Sequence, residues 1–218
     1  MHGLTSLSPT ASHRLGARNF PADPFDFWDG AHAPISILTD GQSIYIDGER
    51  ATRIYRVEYG AVRECRILSS GRRLIVAFHM AGEWFGLQNG NTYRFSAEAI
   101  GATGIQSFGR DEPQEFLQSL MPAALDSLAS AQEHQLVIGR QCAVERIAAF
   151  LVEMSARRGG LANFELPMSR TDIADYLGLT VETVSRALTK LKHRRIIRLH
   201  GLRGVEVLQR DALKRLCA

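Results

Sequence analysis

The chain has 218 residues, of which 45% are hydrophobic and 22% are charged. This composition is that of an ordinary globular protein, and the length suffices for two compact domains. No apolar run approaches the ~20 residues that cross a bilayer, and the N-terminus lacks the pattern of a signal peptide. We therefore expect a cytoplasmic protein without a membrane partner.

The three cysteines, Cys65, Cys142 and Cys217, lie far apart in the sequence. An odd number of dispersed cysteines favours neither a disulfide framework nor a zinc site. We predict separate, reduced thiols and no metal site. The usual nucleophile, phosphate-loop and metal-ligand motifs of enzymes are also missing, so we do not expect an enzyme.

Charge is distributed unevenly along the chain. Residues 139–218 contain 15 Lys and Arg against 8 Asp and Glu, a net charge of +7, whereas residues 1–138 contain 11 against 15, a net charge of −4. A basic C-terminal half following a mildly acidic N-terminal half is what phosphate binding by the second half alone requires. The charge pattern favours double-stranded DNA as a partner of residues 139–218.

The first elements in chain order are a tail and a β-rich domain. Residues 1–24 show no lasting hydrophobic period, which predicts a flexible tail. Between residues 25 and 112, short β-forming stretches alternate with turn signals, which predicts an antiparallel sandwich or roll. The predicted strands are 44–46, 52–59, 62–68, 74–79, 95–100 and 105–108.

A helical period follows from 113 to 138. Its apolar positions recur in steps of four and three, as in the seam of a two-stranded coiled coil. The alternative is a stripe that packs on the β domain of its own chain. We favour a homodimer, because two-fold proteins that bind two DNA half-sites need such an interface. The predicted seam is Leu117, Met121, Ala124, Leu128, Ala131, Gln135 and Ile138.

A helix-turn-helix is predicted within the C-terminal domain, residues 139–218, after an amphipathic helix over 143–156. Ser169 and Asp172 form a capping-box pattern, Gly178 permits the tight turn, and Thr180 is a natural N-cap for the second helix. Two β stretches, 196–199 and 205–208, flank a glycine-containing loop. They predict the wing of a winged helix-turn-helix, which makes the whole chain an α+β protein.

The start of the second helix carries the side chains best suited to contact base edges, namely Glu182, Ser185 and Arg186. The structural alternative is that Glu182 stabilises the helix N-terminus and pairs with Arg186 four residues later. Phosphate contacts are predicted on both helices and the wing, at Arg170, Thr171, Thr183, Lys190, Lys192, Arg198 and Arg203.

The order of β roll, long helix and winged helix-turn-helix, together with the run Glu182-Thr183-Val184-Ser185-Arg186, resembles the Crp/Fnr family of bacterial transcription regulators. Within it, residues 139–151 and 170–192 look most similar to the branch that controls microaerobic and nitrogen-fixation genes. The resemblance implies a dimeric activator that binds a TTGA…TCAA palindrome through Glu182, Ser185 and Arg186 and contacts RNA polymerase.

The effector sites of better-known members are incomplete in this sequence. Residues 82–86 match the start of the cyclic-nucleotide-binding motif of these members. Leu87, however, occupies the position where a carboxylate that binds the ribose is expected. Arg94 lies one position before the expected phosphate arginine, and a shift of one residue turns a strand side chain to the opposite face. The cysteines are too few and too dispersed for an Fnr-type iron-sulfur cluster, and His79 resembles a structural histidine more than a haem ligand. We therefore expect no cofactor.

Two alternatives would allow a signal to control DNA binding. One is oxidation of a cysteine, at Cys142, Cys65 or Cys217, with Arg140 and Arg146 near Cys142 in sequence. The other is an unidentified ligand in the β roll, bound by Trp84, Phe85, Tyr93 and Phe95, although aromatic residues there are equally explained as core.

Overall fold

The computed structural model describes residues 33–217. The predicted tail, residues 1–24, and the start of the predicted β domain lie outside this range. Within it, no helix is both long enough and apolar enough to span a membrane. The described residues form an N-terminal antiparallel sheet, connecting helices and a C-terminal winged helix-turn-helix, which confirms the predicted α+β fold.

The N-terminal roll is a six-stranded antiparallel sheet in which β1, β6, β3 and β4 are successive neighbours. The short strand β2 pairs with β6, and the short strand β5 pairs with β3. The strands β1 and β5, of three and two residues, were not predicted from the sequence. The strands are β1 (Ser36–Leu38), β2 (Ser43–Tyr45), β3 (Arg53–Ile67), β4 (Arg73–Met80), β5 (Trp84–Phe85) and β6 (Ser96–Gly109).

Two pairs of predicted strands are each one long strand, so the predicted breaks at Gly60 and near Gly101 are wrong. The register between β3 and β6 shifts on both sides of Tyr59, which is the mark of a β-bulge rather than a turn. Gly60 has φ +81°, and a Cβ there would approach the Ala102 carbonyl to 2.6 Å. Glycine therefore lets β3 bend without ending.

Aromatic side chains fill the interior of the roll. The rings of Tyr45 and Tyr93 stack with centroids 3.8 Å apart, and Tyr55 stacks on Phe85 at 5.2 Å. Below this stack the Tyr45 hydroxyl donates to Glu64 at 2.5 Å, and His79 Nε2 lies 3.1 Å from the other Glu64 oxygen. Burial opposes ionisation of Glu64, but hydrogen bonds from His79 and Tyr45 lower its pKa. The buried carboxylate is thus paired rather than isolated.

The connecting region consists of two helices, α1 (Gln114–Ser119) and α2 (Met121–Ile138), rather than the single predicted helix over 113–138. Pro122 lies in the first turn of α2. Proline has no N–H for a helical hydrogen bond and its ring clashes with the carbonyl four residues earlier, so a helix restarts there instead of continuing. Phe116 and Leu120 pack on Trp84 and Phe108 of the roll.

The C-terminal domain combines four helices with a three-stranded sheet of order β7, β9, β8. One core joins α3, α4, α5 and α6 and extends into the roll through Cys65, Ile75 and Phe78. The roll and the DNA-binding domain are therefore packed together. The elements are α3 (Ala143–Arg157), β7 (Asn163–Glu165), α4 (Arg170–Leu177), α5 (Val181–His193), β8 (Ile197–His200), β9 (Gly204–Val207) and α6 (Arg210–Arg215).

Candidate nucleic-acid interface

The first helix of the helix-turn-helix, α4, begins with a reciprocal capping box. The Ser169 side chain accepts from the Asp172 backbone N–H, and the Asp172 carboxylate accepts from the Ser169 backbone N–H. These bonds satisfy two of the backbone donors that a helix start leaves free. The predicted capping box is confirmed.

The turn between the helices depends on Gly178, which has φ +64° and lies in the left-handed region. Its N–H donates to the Ala174 carbonyl, as does the N–H of Leu179 at 2.9 Å. Arg146 of α3 donates to the Leu177 carbonyl at 3.0 Å and so satisfies another free group at this helix end. The turn is held from both sides, which fixes the angle between α4 and α5.

The second helix, α5, begins at the predicted N-cap, where Thr180 accepts from the Thr183 backbone N–H. One face of α5 is buried in the shared core, through Val184, Ala187, Leu188 and Leu191. Its opposite face is exposed and basic. An open groove on that face is lined by Ser185, Arg186, Thr189, Lys190 and His193.

The three predicted base contacts lie on this exposed side of α5. Glu182 and Arg186 are exposed, and Ser185 is half-buried. Within the described residues no ion pair joins Glu182 to Arg186. Hydrogen bonding by its own backbone N–H and by the Thr180 hydroxyl lowers the pKa of Glu182, and the positive charge of Arg186 adds a smaller effect in the same direction. Glu182 is therefore ionised at neutral pH, and Arg186 remains available for another partner.

Arg170 lies between the two helices rather than out in solvent. Its guanidinium donates to the Ser185 hydroxyl across 3.3 Å, from the first residue of α4 to the second turn of α5. This contact orients a predicted base-contacting side chain. Arg170, predicted as a phosphate contact, thus lies beside Ser185, one of the predicted base contacts.

The other phosphate candidates are spread over the same surface. Thr171, Lys190 and Lys192 are exposed. Thr183 already has a partner, because its hydroxyl lies 3.0 Å from the Thr180 hydroxyl. Thr189 and His193, which sequence reasoning missed, lie one helical turn beyond Ser185 and Thr189 respectively on the groove. Their spacing of four and eight residues from Ser185, one and two helical turns, was the signal that would have found them.

The wing is the hairpin of β8 and β9. Arg198 donates to Glu206 at 2.7 Å, and His200 lies 3.0 Å from the same carboxylate. These two hydrogen bonds, from His200 and then Arg198, lower the pKa of Glu206. Arg203 lies exposed in the wing turn. Of the two predicted wing contacts, Arg203 extends into solvent, whereas Arg198 already has a partner.

The predicted dimer seam runs along α1 and α2. Leu117, Met121, Leu128 and Ile138 are exposed, as are Ala131 and Gln135, while Ala124 is half-buried. Leu125 and Leu136 are also exposed and were missing from the predicted seam. The exposed apolar stripe of α2 is therefore wider than a coiled-coil seam whose residues recur in alternating steps of four and three. We refer to Met121, Leu125, Leu128 and Leu136 as the α2 stripe.

The candidates for oxidation differ in exposure. Cys65 is buried, and burial raises the pKa of its thiol to about 11. Burial also raises the pKa of Cys217, whose Sγ donates to the Leu213 carbonyl at 3.2 Å. Cys142 is exposed at the N-cap of α3. The surroundings of Cys65 and Cys217 make their thiols less reactive, because the thiolate is the nucleophile.

The four aromatic residues suggested as ligand contacts do not surround one cavity. Phe85 and Tyr93 belong to the stack inside the roll, whereas Trp84 packs on Phe108 in a separate cluster. Phe95 lies beneath the guanidinium of Arg66, 4.9 Å from its ring centroid. Arg94, beside it, is exposed. This arrangement does not support the aromatic ligand site considered from the sequence.

Comparison with known proteins identifies two domain families in the chain. The cyclic nucleotide-binding domain matches residues 37–119, and the Crp-like helix-turn-helix domain matches residues 145–216. Both agree with the arrangement of roll and winged domain described above.

Similarity over most of the chain connects it to known regulators. The nitrogen fixation regulation protein FixK of Rhizobium meliloti is 52% identical over 183 residues, covering 84% of this chain and 87% of that protein. FixK of Azorhizobium caulinodans is 39% identical over 194 residues, covering 83% and 78%. The structure of FixK2 from Bradyrhizobium japonicum has a TM-score of 0.80 at 39% identity and covers 86% of this chain and 98% of that one. The chain belongs to the Crp/Fnr family of DNA-binding transcription regulators and is similar to its FixK members.

Proposed function

We propose that the protein is a cytoplasmic homodimer that activates transcription by binding a TTGA…TCAA palindrome and recruiting RNA polymerase. Its similarity to FixK proteins supports genes of nitrogen fixation and microaerobic metabolism as targets. The observation that carries the proposal is the exposed basic face of α5, on which Glu182, Ser185 and Arg186 come together. We assign it no enzymatic reaction.

The chemistry of this face suits base recognition. Arg186 can donate two hydrogen bonds to guanine O6 and N7, and the ionised Glu182 can accept from a cytosine amino group. The Ser185 hydroxyl, oriented by Arg170, reaches a neighbouring base edge. Lys190 and Lys192 continue the face toward the phosphate backbone.

The α2 stripe supports the dimer. Leu128 is 56% exposed and Met121 is 58% exposed in the single chain, and large apolar side chains at helical spacing are costly to leave in water. A second copy of the chain, related by a two-fold axis along α2, covers the stripe. The dimer then carries two copies of α5, the recognition helix, one for each DNA half-site.

We further propose that DNA binding needs no dedicated small-molecule effector. The stacked rings of Tyr45, Tyr55, Phe85 and Tyr93 occupy the interior of the roll, and Arg94 is exposed. A cyclic phosphate in the roll would lack its main charge-assisted partner.

The direct test is the affinity of the purified protein for a TTGA…TCAA duplex with no effector added. We expect a Kd within about 10⁻⁸ to 10⁻¹¹ M at physiological salt, at least about a thousandfold tighter than for a scrambled duplex. A duplex with one intact half-site is the matched control. Binding that appears only after cyclic AMP is added contradicts the effector-free proposal.

Sedimentation equilibrium tests the dimer. Leu128→Glu places a charge in the α2 stripe and should convert the protein to a monomer with reduced affinity for the full palindrome. Leu161→Glu is the control, because Leu161 is equally exposed, at 56%, but lies outside α2. A Leu128→Glu protein that remains dimeric shows that another surface forms the dimer.

A further inference from the structure

The β roll holds the first helix of the helix-turn-helix through ion pairs. Arg73, at the start of β4, donates to Asp172 at 2.6 Å and to Asp175 at 2.9 Å. Arg63, on β3, donates to Asp172 at 3.3 Å and is itself anchored by Glu98 of β6 at 2.7 Å. We call these two arginines and two aspartates the roll latch.

The roll latch is shielded from solvent, unlike an ordinary surface ion pair. The Asp172 side chain is only 5% exposed and that of Arg63 is 13% exposed, whereas Arg73 and Asp175 are 24% and 20% exposed. Exposed ion pairs contribute little, whereas removal of one partner from a shielded pair leaves an uncompensated charge and is costly. Asp172 is also the capping-box residue of α4. The latch therefore acts on the backbone that fixes the start of the helix-turn-helix.

Aromatic contacts surround the same helix. Tyr176 of α4 lies against Phe78 of β4, with ring centroids 4.9 Å apart. On its other side Tyr176 stacks on His134 of α2, with centroids 3.8 Å apart. A third contact joins Arg157 of α3 to Glu83, in the turn between β4 and β5. The winged domain is thus held at several points by the roll and by α2.

These contacts leave the DNA-binding face uncovered. They engage α4 through Asp172, Asp175 and Tyr176, whereas Arg186 and Lys190 on α5 remain exposed. A roll that blocked DNA access would cover the exposed face of α5. The docked arrangement is therefore one that presents the recognition helix.

From this geometry we infer that Arg73, supported by Arg63, is a positioning residue for operator binding. It fixes the recognition helix relative to α2, and in the dimer it thereby sets the spacing of the two half-sites that the protein accepts. The inference rests on the proposed palindrome-binding dimer. Arg73 would then determine specificity for half-site spacing without contacting DNA.

The physical reason is the geometry of B-DNA. One base pair added between half-sites rotates one relative to the other by roughly 35° and moves it by about 3.4 Å. Two recognition helices held rigidly match only one spacing. Two helices held loosely match neighbouring spacings at a smaller penalty, but they lose affinity at the best spacing because ordering them costs entropy.

The experiment measures Kd for palindromes whose central spacer is shortened or lengthened by one and two base pairs. The wild-type protein should bind one spacing best. Arg73→Gln should lose roughly tenfold at that spacing and much less at the others, so its spacing preference flattens. Arg72→Gln, a change at the exposed neighbouring arginine, should leave the profile unchanged.

A charge exchange provides the rescue. In Arg73→Glu combined with Asp175→Arg, the pair with position 175 is reversed but position 73 then faces Asp172 with a like charge, so only part of the spacing preference should return relative to either single variant. Asp175→Asn is a milder variant that removes one pair and keeps the capping box, so it remains informative if Arg73→Gln folds poorly. Circular dichroism of each protein checks folding.

Three outcomes overturn the inference: an Arg73→Gln protein that binds all spacings equally weaker, one that binds them all more tightly, or one whose profile is unchanged. The first indicates a purely structural role, and the second indicates that the latch inhibits binding. Failure of the proposed function is distinguishable, because the wild-type protein itself would then bind the palindrome no better than a single half-site.

Discussion

The two domains place their polar groups in opposite ways. In the β roll, Glu64 and His79 are buried and bonded to each other beneath a stack of aromatic rings. In the winged domain, Glu182 and Arg186 are exposed on a helix whose other face is core. The Glu64–His79 pair serves the internal structure of the roll, whereas the exposed side chains of α5 are available to a partner. A change inside the roll should therefore alter stability, and a change on α5 should alter DNA binding.

The largest expected effect is on the stability of the roll. Phe85→Ala removes a fully buried ring from the stack, and we expect the free energy of unfolding to fall by about 3 to 5 kcal/mol. Urea unfolding followed by circular dichroism measures it. Tyr59→Ala, at a partly exposed ring, is the control with a smaller expected loss. Small loss from Phe85→Ala would mean that the stack is not the core of the roll.

The next effect separates base recognition from stability. Arg186→Ala should weaken binding to the cognate duplex by about 1 to 3 kcal/mol and relax the preference at one base pair. Because Arg186 is exposed, the free energy of unfolding should stay unchanged. Fluorescence anisotropy with duplexes substituted at single positions measures this. An equal loss on cognate and random DNA would refute its role in base recognition.

A smaller and less specific effect is expected at Lys192, which is exposed at the end of α5. Lys192→Ala should weaken cognate and random duplexes alike. It should also reduce the slope of log K against log salt by about 1 for each bound subunit. Titrations at several salt concentrations measure the slope. If the slope is unchanged, Lys192 contacts no phosphate.

The smallest effect concerns the contact between α2 and α4. Burial lowers the pKa of His134 from 6.5 to about 4, so the unfolded chain binds more protons than the folded protein between these values. The free energy of unfolding should therefore fall as pH is lowered from about 6.5 to about 4. His134 is partly exposed, and we expect its share to be below about 1 kcal/mol.

His134→Phe keeps a ring against Tyr176 and removes the titrating group. The pH dependence of unfolding over this window should become flatter in this variant. Urea midpoints at a series of pH values from 4 to 7 provide the measurement, and an identical pH profile in the variant would show that other groups cause the acid sensitivity.

Local features were predictable from the sequence. The capping box of Ser169 and Asp172, the left-handed Gly178 and the Thr180 N-cap depend on residues within four positions of one another, and each is confirmed. The exposed positions of Glu182 and Arg186 follow from the same helical period. Their contacts with bases remain predictions.

Features that depend on distant partners were not predictable. Gly60 resembles a turn residue, but the pairing of β3 with β6 carries the strand through it as a bulge. The roll latch joins Arg73 to residues 99 and 102 positions later, and no periodicity marks such a pair. Pro122, by contrast, was a visible signal for the break between α1 and α2 that the heptad pattern concealed.

The break at Leu120 has a mechanical consequence. Leu120 is embedded among the roll residues Trp84 and Phe108, while Val137 near the other end of α2 belongs to the core that the winged domain shares with the roll. Both ends of α2 are thus anchored in hydrophobic cores. Rotation of one domain about the other must bend the chain at Leu120 or pull an end of α2 from its core, and either motion moves the α2 stripe.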